Sequence, residues 1–272
     1  MYDPPAYLWA IIIAGPTAVT ALTCIALYGG AKRAGMRRSR AALLATGAAT
    51  VLGGWIAASA AIADHGWYQT LPWFPVAIIG YLGSLLALRR IPAVQRALAA
   101  PGMRSRWEFP HAPRVAGVAF LLYLAFGHLP ALFALPAGLG DIATGLAAPL
   151  VARRLAQGDG RRAARWFNVF GMTDLVVALT LGALTGFGLL NVTPSSAPIT
   201  DLPLALIPTA TVPLLFALHL TSMSSLVRTQ RAASSTAALI SGASPRPNRI
   251  GQGAGIPAPP WQGSSFKAAT PE

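Results

Sequence analysis

Two aspartates, Asp141 and Asp174, lie inside long apolar segments of this 272-residue chain. An ionised aspartate at the centre of a bilayer costs ~2.5–3.5 kcal/mol on insertion scales, so such a residue faces protein or water and usually belongs to a pathway, a proton relay or a binding site. Two carboxylates close together also disfavour joint ionisation, and the pair is expected to share one proton. These residue types therefore predict acid–base chemistry within the membrane.

The two aspartates are expected at similar depth on consecutive antiparallel helices. Asp141 is 12 residues from Arg153, which is about 18 Å along a helix, and Asp174 is nine residues from Arg165, or about 14 Å. We therefore predict that the two carboxyl groups meet near the midplane, away from any basic side chain.

Small residues accompany each aspartate, with Gly138 one turn before Asp141 and Gly171 one turn before Asp174. Small residues at such spacing let membrane helices approach closely. The neighbouring polar side chains are hydrogen-bond candidates. The predicted site consists of Asp141, Asp174, Asn168, Thr144, Thr173 and Gly138.

Composition indicates the class of protein that must position this site. The chain is 54% hydrophobic and only 11% charged, with a mean hydropathy of +0.54, which is typical of polytopic membrane proteins. Apolar runs that suffice to cross ~30 Å of hydrocarbon recur along it. The predicted spans are about 7–28, 41–63, 71–88, 113–128, 130–152, 166–187 and 202–223. We predict an all-α bundle of seven transmembrane helices over residues 1–228.

Basic residues predict the orientation, because Lys and Arg in short loops collect on the cytoplasmic side. All 21 Lys and Arg residues fall in the first, third and fifth loops or in the tail, with Arg114 counted in the third loop. The N-terminus is therefore expected outside and the C-terminus inside. Residues 229–272 are rich in Ser, Ala, Gly and Pro, which predicts a disordered cytoplasmic tail.

The net charge of +13 is explained by these loops lying beside anionic lipid headgroups. The expected partners are thus the lipid bilayer and those headgroups, and a nucleic-acid partner is not expected because no soluble basic module is present. No protein partner is indicated. The composition is typical of high-GC bacteria, which places the protein in a bacterial inner membrane.

The turn between the fourth and fifth spans decides the depth of Asp141. A turn at Gly127–Pro130 leaves a full-length fifth span and a short fourth one, whereas a turn at Pro136–Gly138 would place Asp141 near the outer surface. We favour the turn at Gly127–Pro130, because it leaves the fifth span at full length.

Metal and cofactor sites are not predicted. His65 and His128 are expected near the outer face, and His111 and His219 near the inner face, so no midplane histidine pair is available to ligate haem iron. Cys24 is the single cysteine, which leaves no disulfide or thiolate cluster to consider.

Two resemblances bear on function. The stretch from Phe133 to Asp141, followed by Trp166 to Val177, resembles an uncharacterised group of bacterial multi-pass inner-membrane proteins over roughly residues 110–225. Gly138-Leu139-Gly140-Asp141 also resembles the Gly-x-Gly-Asp motif of intramembrane aspartyl proteases. The second resemblance implies peptide-bond hydrolysis by Asp141 and Asp174.

Three functions follow from these observations. The first is transport of protons, ions or a small solute through the aspartate pair. The second is intramembrane proteolysis by the same pair, so that enzymatic activity stays an open question. The third is a structural role, in which the pair ties two helices together by hydrogen bonds.

Overall fold

A computed structural model describes residues 4–240, with the side chains of residues 4–228 and of Ser234. The chain divides into two units, Met1–Gln230 and Arg231–Glu272. In the second unit the described residues, 231–240, are helical. The α-helices of the described part are α1 Ala6–Arg33, α2 Arg38–Asp64, α3 Trp73–Leu88, α4 Pro92–Ala99, α5 Val118–Ala125, α6 Ala131–Ala156, α7 Arg161–Gly186 and α8 Val212–Ile240.

The fold is all-α, and residues 4–240 contain no β-strand. Within the described residues, five helical segments are long and apolar enough to cross a membrane. A sixth results if α3 and α4, which meet at a bend of 82°, form one broken span. The chain is thus a multi-pass integral membrane protein.

The predicted fourth span, 113–128, has a different structure from its neighbours. Its α-helical part, α5, has eight residues, and it follows a 3₁₀-helix at Phe109–Gly117 of nine residues. Such runs rarely exceed 3–4 residues. By length and composition this stretch does not count among the membrane-crossing candidates, so the structure yields five or six candidates where the sequence predicted seven.

The turn before α6 lies at Gly127–Pro130, the position favoured by helix length. Gly127 has a φ of +74°, a left-handed conformation that glycine adopts at little steric cost. Asp141 is consequently placed ten residues inside α6, and Asp174 lies 13 residues inside α7. Both aspartates are therefore in helix interiors.

Helix α8 is central and α2 is peripheral. Within Ile207–Arg228, 67% of the most apolar 18-residue window is buried. The corresponding window of α2 is only 11% buried. A π-helical turn at Ile207–Thr211 directly precedes α8, and such turns are rare and often found at functional sites. Ser59 of α2 contacts this turn through its hydroxyl, 2.5 Å from Oγ1 of Thr209.

The C-terminal boundary also differs from the predicted one. Helix α8 continues to Ile240, beyond the predicted start of the tail at residue 229. The rest of the predicted disordered tail, residues 241–272, lies outside the described residues.

Candidate functional site

Arg114 lies between the two aspartates. Its Nε donates to Oδ1 of Asp141 at 2.7 Å, and its Nη2 donates to Oδ2 of Asp174 at 2.5 Å. The Arg114 side chain is 1% exposed, and those of Asp141 and Asp174 are 14% and 8% exposed. One guanidinium thus joins the 3₁₀-helix, α6 and α7 inside the bundle.

The expectation of an aspartate pair without a basic neighbour is wrong. The two carboxylates do converge, but a permanently charged guanidinium connects them instead of a shared proton. The sequence argument assigned Arg114 to a cytoplasmic loop because its position borders a short apolar run. The 3₁₀-helix instead carries this residue into the core.

A period of three explains how Arg114 reaches that position. A 3₁₀-helix has about three residues per turn, so side chains three apart lie in one row. Glu108, His111, Arg114 and Gly117 have this spacing, and all four are buried. This Glu-x-x-His-x-x-Arg-x-x-Gly pattern is the sequence signal that could have located the network, since a helix of 3.6 residues per turn would spread these side chains over several faces.

Hydrogen bonds extend from Arg114 to His219 of α8 and then to Asn168 of α7. Arg114 Nη1 lies 3.2 Å from Nε2 of His219, and because arginine only donates, Nε2 must accept. The proton of the neutral imidazole is therefore on Nδ1, which donates to Oδ1 of Asn168 at 2.9 Å. The contacts assign both the histidine tautomer and the amide orientation.

Asn168 continues the chain toward Glu108. Its Nδ2 lies 2.7 Å from the carbonyl oxygen of Ala164, 3.1 Å from Oγ of Ser222 and 3.3 Å from Oε1 of Glu108. Ser222 also donates to Glu108 Oε1, at 2.6 Å. The buried network therefore comprises Asp141, Asp174, Arg114, His219, Asn168, Ser222 and Glu108.

Three buried polar atoms next to this network have no hydrogen-bond partner within the described part of the chain: Oε2 of Glu108 and both ring nitrogens of His111. Glu108 lies outside the candidate spans, and burial raises its pKa to about 7, although hydrogen bonds from Ser222 and Asn168 act in the opposite direction. The His111 ring stacks on His219 with centroids 3.9 Å apart. His111 and His219, which the sequence predicted near the same inner face, are thus neighbours.

Glycines make room for the charged groups. A Cβ on Gly140 would overlap the carboxylate of Asp174, one on Gly171 would overlap the His219 ring, and one on Gly117 would overlap the Asp141 side chain. Each of these glycines lies on the element that packs against the helix carrying the overlapping side chain. The small residues of these helices therefore admit the polar network.

The other predicted site residues lie around this network. Gly138 allows α6 to approach Leu121 of α5. Thr144 is buried, and its hydroxyl donates to the carbonyl oxygen of Gly140 in its own helix. Thr173 is exposed and has none of the network's hydrogen bonds. Among the six predicted residues, the structure brings Asp141, Asp174 and Asn168 into one hydrogen-bonded system.

A cavity of about 30 Å³ adjoins Arg114 and Asp141 and is bordered by Thr211 of the π-helical turn. This volume accommodates about one water molecule. Within residues 4–240, no group of three or more His, Cys, Asp or Glu side chains is arranged to hold a metal ion.

The chain belongs to the family described as "Domain of unknown function (DUF8737)", whose sequence profile matches residues 71–227. The matched region includes every residue of the buried network, and it overlaps the stretch for which an uncharacterised family was expected. No curated protein and no solved structure matches the chain.

Proposed function

We propose that the protein is a transporter in which the network around Arg114 couples proton binding to movement of protons or of a small solute. The observation that carries the proposal is the simultaneous ion pairing of Arg114 with Asp141 and Asp174. Placing charged side chains inside a membrane costs free energy, and such residues characteristically mark ion and substrate pathways.

The geometry suits a proton-driven switch. Each carboxylate is on a different helix, α6 or α7, and both pair with one cation on the 3₁₀-helix. A proton that binds to one carboxylate removes its attraction for the guanidinium, and breaking a buried pair costs about 3–5 kcal/mol. Protonation therefore releases one helix from Arg114 while the other stays paired.

Two features support a pathway for protons or solvent. The cavity of about 30 Å³ reaches the Arg114–Asp141 pair, and it touches a π-helical turn, where the backbone departs from regular α-helix. From Arg114, hydrogen bonds through His219 and Asn168 also lead to Glu108, whose second oxygen has no partner among the described residues.

We further propose seven crossings, with the N-terminus outside and the C-terminus inside a bacterial inner membrane. The 3₁₀-helix rises about 2.0 Å per residue and α5 about 1.5 Å, so Phe109–Ala125 extends over about 30 Å, the thickness of the hydrocarbon core. A segment that is short as an α-helix thus acquires the length of a span. The basic loops support the orientation.

Proton flux into proteoliposomes tests the proposal. With a potassium gradient and valinomycin as the driving force and a pH-sensitive dye inside, Asp141→Asn and Asp174→Asn should each lower the flux by about tenfold or more. Asp64→Asn is the matched control, because Asp64 is exposed at the end of α2.

Each variant is purified by size exclusion before reconstitution, so that loss of folding is not read as loss of flux. Asp174→Glu keeps a titratable group and should retain measurable flux. Flux equal to that of the wild type in both asparagine variants would contradict the proposal and favour the structural role. Proteolysis is not proposed, because the guanidinium of Arg114 occupies acceptor positions that a catalytic aspartate pair uses to hold water.

A further inference from the structure

A basic cavity of about 1040 Å³ lies at the end of the bundle where α1 ends and α7 begins. Its walls come from α1, from the segment before the 3₁₀-helix and from the α6–α7 hairpin. Five arginines line it: Arg33, Arg104, Arg106, Arg153 and Arg161. Among the described residues, Asp159 is the one acidic residue of the lining, so this cavity carries a large excess of positive charge.

Among the described residues, none of these five arginines forms an ion pair with an acidic side chain. Asp159 accepts a hydrogen bond from the backbone nitrogen of Gly160 at 2.6 Å. Arg33 Nη1 donates to Sδ of Met103 at 3.8 Å, and the other donors of the five guanidinium groups are available for an anion.

Two of these guanidinium groups converge on the bare backbone of α1. A Cβ placed on Gly29 would lie 3.1 Å from Nη1 of Arg106 and 4.0 Å from Nη1 of Arg33. The two nitrogens are thus within about 7 Å of each other, and like charges at this separation repel unless an anion neutralises them. A phosphate between them would relieve the repulsion and receive charge-assisted hydrogen bonds.

One part of the cavity lining, its floor, is apolar. It includes Leu22 and Ile25 of α1 and Phe109 at the start of the 3₁₀-helix. Ile25 is 63% exposed and Phe109 is 46% exposed. A ligand that fits both parts must combine an anionic head with a hydrocarbon chain.

We infer that this cavity binds an anionic phospholipid, with its phosphate among Arg33, Arg106 and Arg153 and an acyl chain along Ile25 and Phe109. Basic pockets between membrane helices on the cytoplasmic side recognise anionic headgroups in this way. A soluble phosphate would use the arginines but not the apolar floor.

Native mass spectrometry and thermal unfolding of the detergent-purified full chain test this inference. Phosphatidylglycerol should remain bound and raise the unfolding temperature, whereas phosphatidylcholine and inorganic phosphate at the same concentration should not. The double variant Arg106→Gln/Arg153→Gln should weaken phosphatidylglycerol binding by about tenfold or more, since each arginine near a membrane surface contributes about fivefold.

The control Arg38→Gln/Arg90→Gln removes the same charge from exposed positions outside the cavity and should leave binding within twofold of the wild type. Ile25→Ser removes floor surface without altering charge and should also weaken lipid binding. Equal losses in the two double variants would overturn the inference in favour of diffuse surface attraction. Equal protection by inorganic phosphate, or no retention of phosphatidylglycerol, would overturn it as well.

Discussion

Nε of Arg114 lies 2.7 Å from Oδ1 of Asp141, and this ion pair joins a 3₁₀-helix to an α-helix that begins after a tight turn. The same guanidinium holds Asp174 on the following helix. Arg114 thus faces two carboxylates, so the acidic groups of this buried site outnumber its single basic group. In the proposed transporter, this imbalance is what would make the site respond to proton binding.

Arg114→Met should lower the free energy of unfolding by about 3–5 kcal/mol, because it leaves two buried carboxylates without their cation. Arg114→Lys should recover only part of this loss, since a single ammonium cannot reproduce the fork that reaches both acids. Reversible denaturation in mixed detergent micelles measures the change.

Arg38→Met is the control for that measurement, because Arg38 is exposed and its loss should change stability by less than about 0.5 kcal/mol. The triple variant Arg114→Met/Asp141→Asn/Asp174→Asn should regain most of the stability but none of the proton flux. A triple variant with wild-type flux would show that the charges serve packing alone.

Gly140→Ala should destabilise the bundle by about 1–3 kcal/mol, because the added methyl group would overlap the Asp174 carboxylate in a closely packed core. Gly53→Ala in α2 is matched to it, since a Cβ at Gly53 has no atom within 4 Å among those described. That variant should be neutral or slightly more stable. Thermal unfolding in one detergent compares them, and equal losses would contradict the close approach of α6 and α7.

Glu108 should give stability a measurable pH dependence. Burial raises its pKa in the folded state to about 7 from an ordinary value of 4.5, so the folded protein retains this proton over a range where the unfolded chain has lost it. The contribution of Glu108 to stability should therefore fall as the pH rises from about 4.5 to 7, by an amount on the order of 3 kcal/mol, and then level off.

Glu108→Gln removes this titration and should flatten that part of the profile. Unfolding measured at several pH values between 4 and 8 provides the comparison, and Asp64→Asn is the control with the wild-type slope expected. A Glu108→Gln profile that keeps the full slope would assign the titration to other groups.

The seven-span topology predicts that Arg90 and Phe126 lie on opposite sides of the membrane. In a Cys24→Ala background, Phe126→Cys should react with a membrane-impermeant maleimide from outside, whereas Arg90→Cys and Gln157→Cys should react only after the membrane is opened. These three positions are exposed. Reaction of Arg90→Cys and Phe126→Cys from the same side would exclude a crossing by Phe109–Ala125.

Much of the architecture follows from composition and periodicity. The apolar runs predicted the all-helical membrane class, and the family profile supports an uncharacterised family over residues 71–227. The length of the predicted fifth span favoured a turn at Gly127–Pro130, and the structure has the turn at this position. These features depend on local sequence, because a helix that crosses lipid must satisfy its own backbone hydrogen bonds.

The sequence by itself also singled out Asp141 and Asp174, because charge in an apolar run is visible without any fold. Only the tertiary structure decided what these acids contact. Arg114 and His219 come from segments 105 residues apart, and a 3₁₀-helix, whose period of three differs from that of an α-helix, turns Arg114 inward. Local sequence shows a charge near the end of an apolar run, whereas close packing of the glycine-bearing helices places it between two carboxylates.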